Sequence, residues 1–313
     1  MSIVKKSTRG VSHEKWLEMR KQGIGGSEAA ALVGLSEYST PYTVWCDKTG
    51  RIAPKEDNEA MRQGRDLEEY VAFRFSEATA KKVRRSNYMY INTDFPFALG
   101  NVDRLIVGEN AGLECKTTSV LNLKKFKNGE FPDRYYVQCM HYMAVTGADR
   151  WYLAVLVLGQ DFKVFTIERD EEEISALMAA EKDFWENYVL TDTEPPSMGT
   201  KGENEALNEM YPTAGEQELF DDKAEGLLKD YLDLKGMIKH YEKRLEVVEQ
   251  EIKKTMGDCY RLNASGYVAN WKNASRSSFD YKRLIDERPD EDFSEYFKTS
   301  TFRKFDVKAP KGV

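Results

Sequence analysis

Gly100-Asn101-Val102-Asp103, then Gly108-Glu109-Asn110-Ala111-Gly112, then Leu113-Glu114-Cys115-Lys116 is the stretch that decides the fold. The middle five residues carry the glycine and asparagine chemistry of a hairpin turn, so the segments on either side are expected to pair. Glu114 and Lys116, two apart on a strand, then project from one face. Asp103 stands near the start of the preceding strand. Pairing brings two carboxylates and one ammonium to a single spot. That is what metal-dependent phosphodiester hydrolysis needs: hard oxygen ligands to hold Mg²⁺, and a positive side chain to orient or deprotonate a water. The strand around Glu114 is otherwise apolar, where unpaired charge is costly, and shared coordination would compensate it.

Working outward, residues 58–80 predict a helix whose buried stripe is Leu67, Val71, Phe75 and Ala78, with Glu68 on the rim of that stripe. Strands are expected at 83–92, 97–107 and 112–117. Pro132 precedes a helix over 133–147, on which Tyr135, Gln138 and Tyr142 share a face at spacings of three and four. Trp151 to Leu158 is a continuous apolar run, the pattern of a strand buried on both faces. Asp161 to Ile167 pairs back to it across Gly159-Gln160, and an acidic-start helix covers 170–190. Upstream, Ser12 caps a short helix over 12–20. Gly23-Ile24-Gly25-Gly26-Ser27-Glu28 is a glycine turn opening a second helix, and a third covers 41–49. The order is that of a mixed α/β layer core.

The 313 residues suffice for one large core or two smaller ones, and 41% of them are hydrophobic. The net charge of −7 argues against a chain that coats nucleic acid over its whole surface but allows a local basic groove. Lys124, Lys125 and Lys127 crowd a loop after the Glu114 strand, make such a patch and suit a DNA backbone. A second basic cluster, Lys81, Lys82, Arg84 and Arg85, reads equally well as a solvated strand start. Four cysteines and three histidines fall into no zinc or disulfide spacing, and His141 reads as structural. No apolar run is long enough for a bilayer, and no signal region opens the chain, so a cytoplasmic setting without membrane contact is expected.

Beyond residue 190 the character changes. Thr191 to Gly215, rich in Pro, Gly, Thr and Glu, reads as a linker over 191–215. Within 216–257, Phe220, Ala224, Leu227, Tyr231, Leu234, Ile238, Tyr241, Leu245, Val248 and Ile252 alternate spacings of four and three, a sustained heptad that Gly257 ends. Such a seam must be buried against something. Residues 258–313 predict a hairpin across Asn263-Ala264-Ser265-Gly266, a helix over 280–298 and a last strand over 301–308.

Five motifs in order give the chain a resemblance to a known family. They are Arg20 with Gly23-Ile24-Gly25-Gly26-Ser27, Gly64-Arg65-Asp66-Leu67-Glu68, Gly100-Asn101-Val102-Asp103, Leu113-Glu114-Cys115-Lys116, and Pro132-Asp133-Arg134-Tyr135-Tyr136-Val137-Gln138. Together they resemble the YqaJ-type viral recombinase exonucleases, relatives of phage lambda exonuclease in the PD-(D/E)xK nuclease superfamily. The resemblance covers residues 12–190. It implies a restriction-endonuclease-like α/β core over 1–190, with the heptad helix and a small α+β tail as extensions. It implies that Asp103, Glu114 and the Cys115 backbone carbonyl ligate Mg²⁺, with Mn²⁺ a substitute. Glu68 would assist through a second metal or its water, Lys116 would position the attacking water, and Gln138 would hold it, with Tyr142 behind. Arg20 and Ser27 would bind a terminal 5′-phosphate, assisted by Asn101; a guanidinium beside a helix start is a ready anion site. Val102 stands where many relatives carry proline. The implied activity is 5′→3′ digestion of linear duplex DNA, leaving 3′ single strands for a RecT-type annealing protein in phage or prophage recombination. The enzyme would work in the host cytosol, as a ring around DNA. Endonuclease or 3′→5′ action on the same core, or an inactive DNA-binding scaffold, are the alternatives.

Overall fold

The computed structural model of the chain describes residues 2–54 and 57–310. The chain divides into two compact units, one ending at Tyr211 and one beginning at Pro212. The first unit opens with β1 (Ile3–Ser7), α1 (His13–Arg20), β2 (Ile24–Gly25), α2 (Gly26–Leu32), α3 (Pro41–Lys48) and α4 (Glu59–Thr79). Then come β3 (Val83–Arg85), β4 (Tyr88–Asn92), β5 (Ala98–Asn101), β6 (Arg104–Ile106) and β7 (Ala111–Thr118). It closes with α5 (Asp133–Thr146), β8 (Arg150–Val157), β9 (Asp161–Glu168), α6 (Glu171–Phe184) and α7 (Lys201–Met210). Local chemistry sets the ends. The Ser12 hydroxyl accepts the Lys15 N–H at the start of α1, and the Asn58 amide oxygen accepts the Met61 N–H at the start of α4. Gly147, at φ 69°, ends α5 in the left-handed conformation.

The central sheet has the order β3-β6-β7-β8-β9, with β7 and β8 parallel and the other pairs antiparallel. The expected hairpin is present: Arg104 faces Leu113 and Leu105 faces Gly112. Alternation along β8 sorts the core onto the two faces of the sheet. Trp151, Leu153 and Val155 join one cluster with Met140 and Met143 of α5, whereas Tyr152 and Ala154 join another with Val71 and Phe75 of α4. Glu114 lies beside Leu153 and Lys116 beside Val155, so both belong to the α5 face. Gly112 is on that face too: a Cβ there would fall 2.2 Å from the Trp151 ring, so only glycine lets the indole lie across β7.

Up to residue 215, four expectations are corrected. The strands read over 83–92 and 97–107 are each broken in two and shared between sheets. β4 and β5 join β1 and β2 in a second sheet of order β1-β4-β5-β2, while β3 and β6 stay in the first. Asp103 is therefore not inside a strand but at the step from one sheet to the other. Residues 191–215 are not all linker, because α7 lies there with Ala206 and Glu203 buried. Ala78 is exposed, and Ala72 takes its place in the buried stripe of α4. Lys124 and Lys125 lie in a 3₁₀ turn, Val120–Phe126, rather than in open loop.

The second unit holds the long helix α8 (Glu225–Met256), the hairpin β10 (Arg261–Ala264) and β11 (Tyr267–Asn270), and the short helix α9 (Tyr281–Glu287). The helix expected over 280–298 is thus only seven residues long. No strand forms over 301–308. Gly257, at φ 51°, ends α8 as read. Among the described residues no helix is long and apolar enough to cross a membrane.

Candidate active site

The site lies where the β6–β7 ladder ends. Past Leu113, β7 has lost β6 as a partner, and Asp103 fills the gap: its Oδ2 accepts the Cys115 N–H at 2.9 Å. A residue's N–H and C=O leave a strand on the same edge, so the Cys115 carbonyl faces this edge as well. Glu114 is only 2% exposed. Its Oε1 takes the Lys116 ammonium at 2.6 Å and the Gln138 Nε2 at 2.8 Å; Gln138 Nε2 also donates to Tyr142 Oη at 2.8 Å. Glu114 Oε2 is buried without a hydrogen-bond partner. An orphaned buried carboxylate oxygen is costly and calls for a missing group.

Electrostatics agree with that reading. Burial, then the negative charges of Glu114 and Glu68, push the Asp103 carboxyl well above the usual carboxylate range, against the pull of Lys116 and the Cys115 N–H. Burial works to strip the proton from Lys116, but Glu114 and Asp103 outweigh it and hold the ammonium above its ordinary value. Lys116 is therefore a fixed cation here. Burial and the nearby Asp103 and Glu114 charges also raise the Cys115 thiol, which stays protonated and unreactive.

Among the described residues no three His, Cys, Asp or Glu side chains form a ready cage for a metal. The donor set is smaller: two carboxylates, one with an orphaned oxygen, and a backbone carbonyl. That set suits Mg²⁺, which commonly keeps several waters and uses one or two carboxylates plus substrate phosphate.

Other predicted residues are placed with mixed results. Glu68 is near enough to raise Asp103, but its carboxylate is taken by Arg104, which also reaches Glu69 at 2.8 Å and the Asp103 carbonyl at 2.9 Å. Arg20 and Ser27 are brought together, guanidinium to hydroxyl, at 3.2 Å. Arg20 Nη2 also meets Glu28 Oε1 at 2.9 Å, and Glu28 Oε2 meets Lys48 at 2.6 Å and the Gly25 N–H at 2.8 Å. This cluster adjoins the first site because α2 comes up against α5: a Cβ on Gly26 would stand 2.7 Å from the Tyr142 ring. Asn101 ends β5 opposite Met89, and no hydrogen bond joins it to Arg20 or Ser27. Lys124 and Lys127 are exposed, while Lys125 is paired with Glu37 at 2.9 Å.

Two contributors escaped the sequence reading. Arg104, 3% exposed, clamps the α4 carboxylates onto the step that carries Asp103. Arg134 stacks on Tyr135, 4.5 Å from the ring centroid, with Lys116 at 5.4 Å from the same ring and exposed Tyr38 at 5.0 Å from the guanidinium carbon. A lone arginine in an alternating strand gives no signal. Arg134 lay inside a motif already quoted, but stacking is not visible in spacing.

The mixed sheet flanked by helices is similar to the fold of a solved alkaline exonuclease. LHK-Exo, an alkaline exonuclease of Laribacter hongkongensis solved in complex with dAMP, matches 57% of this chain and 93% of its own at a TM-score of 0.50 and 20% identity. Sequence goes further. The profile of the YqaJ-like viral recombinase domain matches residues 15–149. The uncharacterized protein YqaJ of Bacillus subtilis (strain 168) is 37% identical over 303 residues, 95% of each chain. The chain belongs to the YqaJ family.

Proposed function

We propose that the chain is a Mg²⁺-dependent exonuclease that digests linear duplex DNA from 5′ ends and leaves 3′ single-stranded overhangs. The observation that carries this reading is the meeting of Asp103, Glu114 and Lys116 around an orphaned carboxylate oxygen. The family, described as viral recombinases, and a fold shared with an exonuclease support it.

Asp103, Glu114 Oε2 and the Cys115 carbonyl would hold the ion, which when bound neutralises phosphoryl charge and acidifies a water. Glu68 stays near through Arg104 and adds negative charge that favours a second cation. Lys116 orients the attacking water and stabilises charge on the phosphate. Gln138 fixes the Glu114 carboxylate through Oε1, which leaves Oε2 for the ion, and Tyr142 fixes Gln138. Arg20 and Ser27 receive the terminal 5′-phosphate, and Lys124, Lys125 and Lys127 track the backbone. A 5′-phosphate must displace Glu28 from Arg20, so end recognition exchanges one anion for another. Delivery of the 3′ strand to a RecT-type annealing protein, assembly around DNA, and work in the bacterial cytosol for a phage or prophage belong to the same reading.

The test is digestion of end-labelled linear duplex carrying 5′-phosphate or 5′-hydroxyl, with Mg²⁺ or chelator. Mononucleotides released from 5′-phosphorylated ends, only with the metal, are the expected result. Cleavage without polarity or phosphate preference removes the Arg20–Ser27 pocket. No cleavage at all leaves a DNA-binding scaffold.

A further inference from the structure

Helix α8 carries the largest feature the proposed activity does not use. Leu234, Ile238, Tyr241, Leu245, Val248 and Ile252 repeat at alternating spacings of four and three, and all are exposed apart from a partial cover on Ile252. Leu245, for example, is 59% exposed. At the amino end the seam is already occupied by the chain itself: Phe305 packs edge-on against Tyr231 with ring centroids 5.4 Å apart. From Leu234 to Val248 the stripe has no cover among the described residues of its own unit. A run of this regularity is the signature of a coiled-coil seam, not of a helix that rests once on a globular body.

We propose that the occupant is α8 of a second copy of this chain, side by side and in register, as a parallel two-stranded coiled coil. The charges beside the seam choose both partner and direction. With Leu234, Tyr241 and Val248 at the d positions, and Ile238, Leu245 and Ile252 at the a positions, Asp230, Met237 and Arg244 fall at g and Lys235, Glu242 and Glu249 at e. In a parallel pair each g residue meets the e residue five further on in the partner. Asp230 then faces Lys235, and Arg244 faces Glu249: opposite charges both times, with neutral Met237 between. In an antiparallel pair centred on the seam, Arg244 meets Arg244 and Glu242 meets Glu242 across the axis, and both repel, leaving only Lys235 with Glu249 as an attractive pair. Branched Ile238 and Ile252 at a, with Leu234 at d, fit a two-stranded coil, while Leu245 at a and Val248 at d do not follow that pattern. In the single chain Glu249 meets only Lys253 of its own helix, at 3.4 Å on the solvent side, a contact easily given up. The pairing does not depend on the nuclease reading. It makes dimers the unit from which any ring is built.

Full-length chain carrying Cys259→Ser, which removes the exposed native thiol, and either Leu234→Cys or Ile252→Cys is oxidised under mild conditions. The two positions lie about 27 Å apart along the helix at 1.5 Å per residue. A parallel in-register pair links each variant to itself, giving a band at twice the chain mass on a non-reducing gel. An antiparallel pair can bring at most one of the two positions together. Sedimentation equilibrium on the unmodified chain should give an even multiple of the chain mass. Arg244→Glu and Glu249→Arg should each weaken assembly at least about tenfold, and the double exchange should restore it. A monomeric chain, an odd multiple, only one self-linking position, or a double exchange without rescue would each overturn the proposal.

Discussion

Asp103 and Glu28 are neighbouring acids of one fold, yet their protons are held in opposite directions. Glu28 is drawn inward, which raises its carboxyl, but Lys48, Arg20 and the Gly25 N–H outweigh burial and hold it below the usual range. Asp103 is raised by burial and by two other carboxylates, with Lys116 insufficient to reverse the effect. The first cluster sets one acid against two cations and is complete. The second sets Asp103, Glu114 and Glu68 against Lys116 and Arg104, and it leaves an oxygen of Glu114 unpaired. The contrast teaches that the two clusters do different work: one is closed by its own lysine and arginine, while the other is short of one positive charge.

The comparison can be broken most sharply at Lys116. Lys116→Ala should lower Mg²⁺-dependent degradation of linear duplex by about 10³-fold while the protein still binds DNA. Near-normal turnover would mean that the incomplete cluster is not catalytic. Next comes Glu28→Gln, which leaves the Lys48 ammonium, with no exposed side-chain surface, without its counter-charge. Loss of about 3 kcal/mol is expected from denaturant unfolding at neutral pH. The sign with pH follows from the depressed folded-state pKa of Glu28. Its stabilising effect is full above the unfolded carboxylate value and is lost as pH falls through the folded one. The gap between wild type and variant should therefore close in acid, and a gap that stays constant would show that the closed cluster is not held by charge.

Asp103→Asn sharpens the other side. It removes one of the two acids expected to bind the ion, and a fall of about 100-fold in turnover, partly recovered at higher Mg²⁺, is expected in the same digestion assay. The smallest effect belongs to the seam between the clusters. Gly26→Ala drives a methyl into the Tyr142 ring, and a loss of about 1–2 kcal/mol on thermal unfolding is expected. No change would mean that α2 and α5 can part freely.

Much of this was legible in sequence because it is local. The hairpin of β6 and β7, the shared face of Glu114 and Lys116, the shared face of Gln138 and Tyr142, and the double burial of β8 all follow from spacing. What stayed hidden depends on distant contacts. Ser86-Asn87 and Val102-Asp103 contain no proline or glycine to mark a step between sheets, because the step is set by which strand each half can pair with. Helix α7 has only a sparse apolar face, but Thr200 and Glu203 at capping spacing were a sign of it: Thr200 accepts the Glu203 N–H. Arg104 carries no signal in the sequence, although its pairing with two α4 carboxylates makes it the brace of the site.

The central claim is that Asp103 and Glu114 form a cluster completed by a divalent cation. Thermal unfolding of the full chain, with and without Mg²⁺, tests it without relying on turnover. With a folded-state pKa above the unfolded one, Asp103 costs stability increasingly as pH rises through and beyond the carboxylate range, and a bound cation removes that cost. Wild type should gain about 2.7 kcal/mol at a hundred times the dissociation constant, a rise of several degrees at neutral pH that shrinks in acid. Asp103→Asn should gain far less. An unchanged midpoint in wild type, or an equal rise in both proteins, would contradict the account.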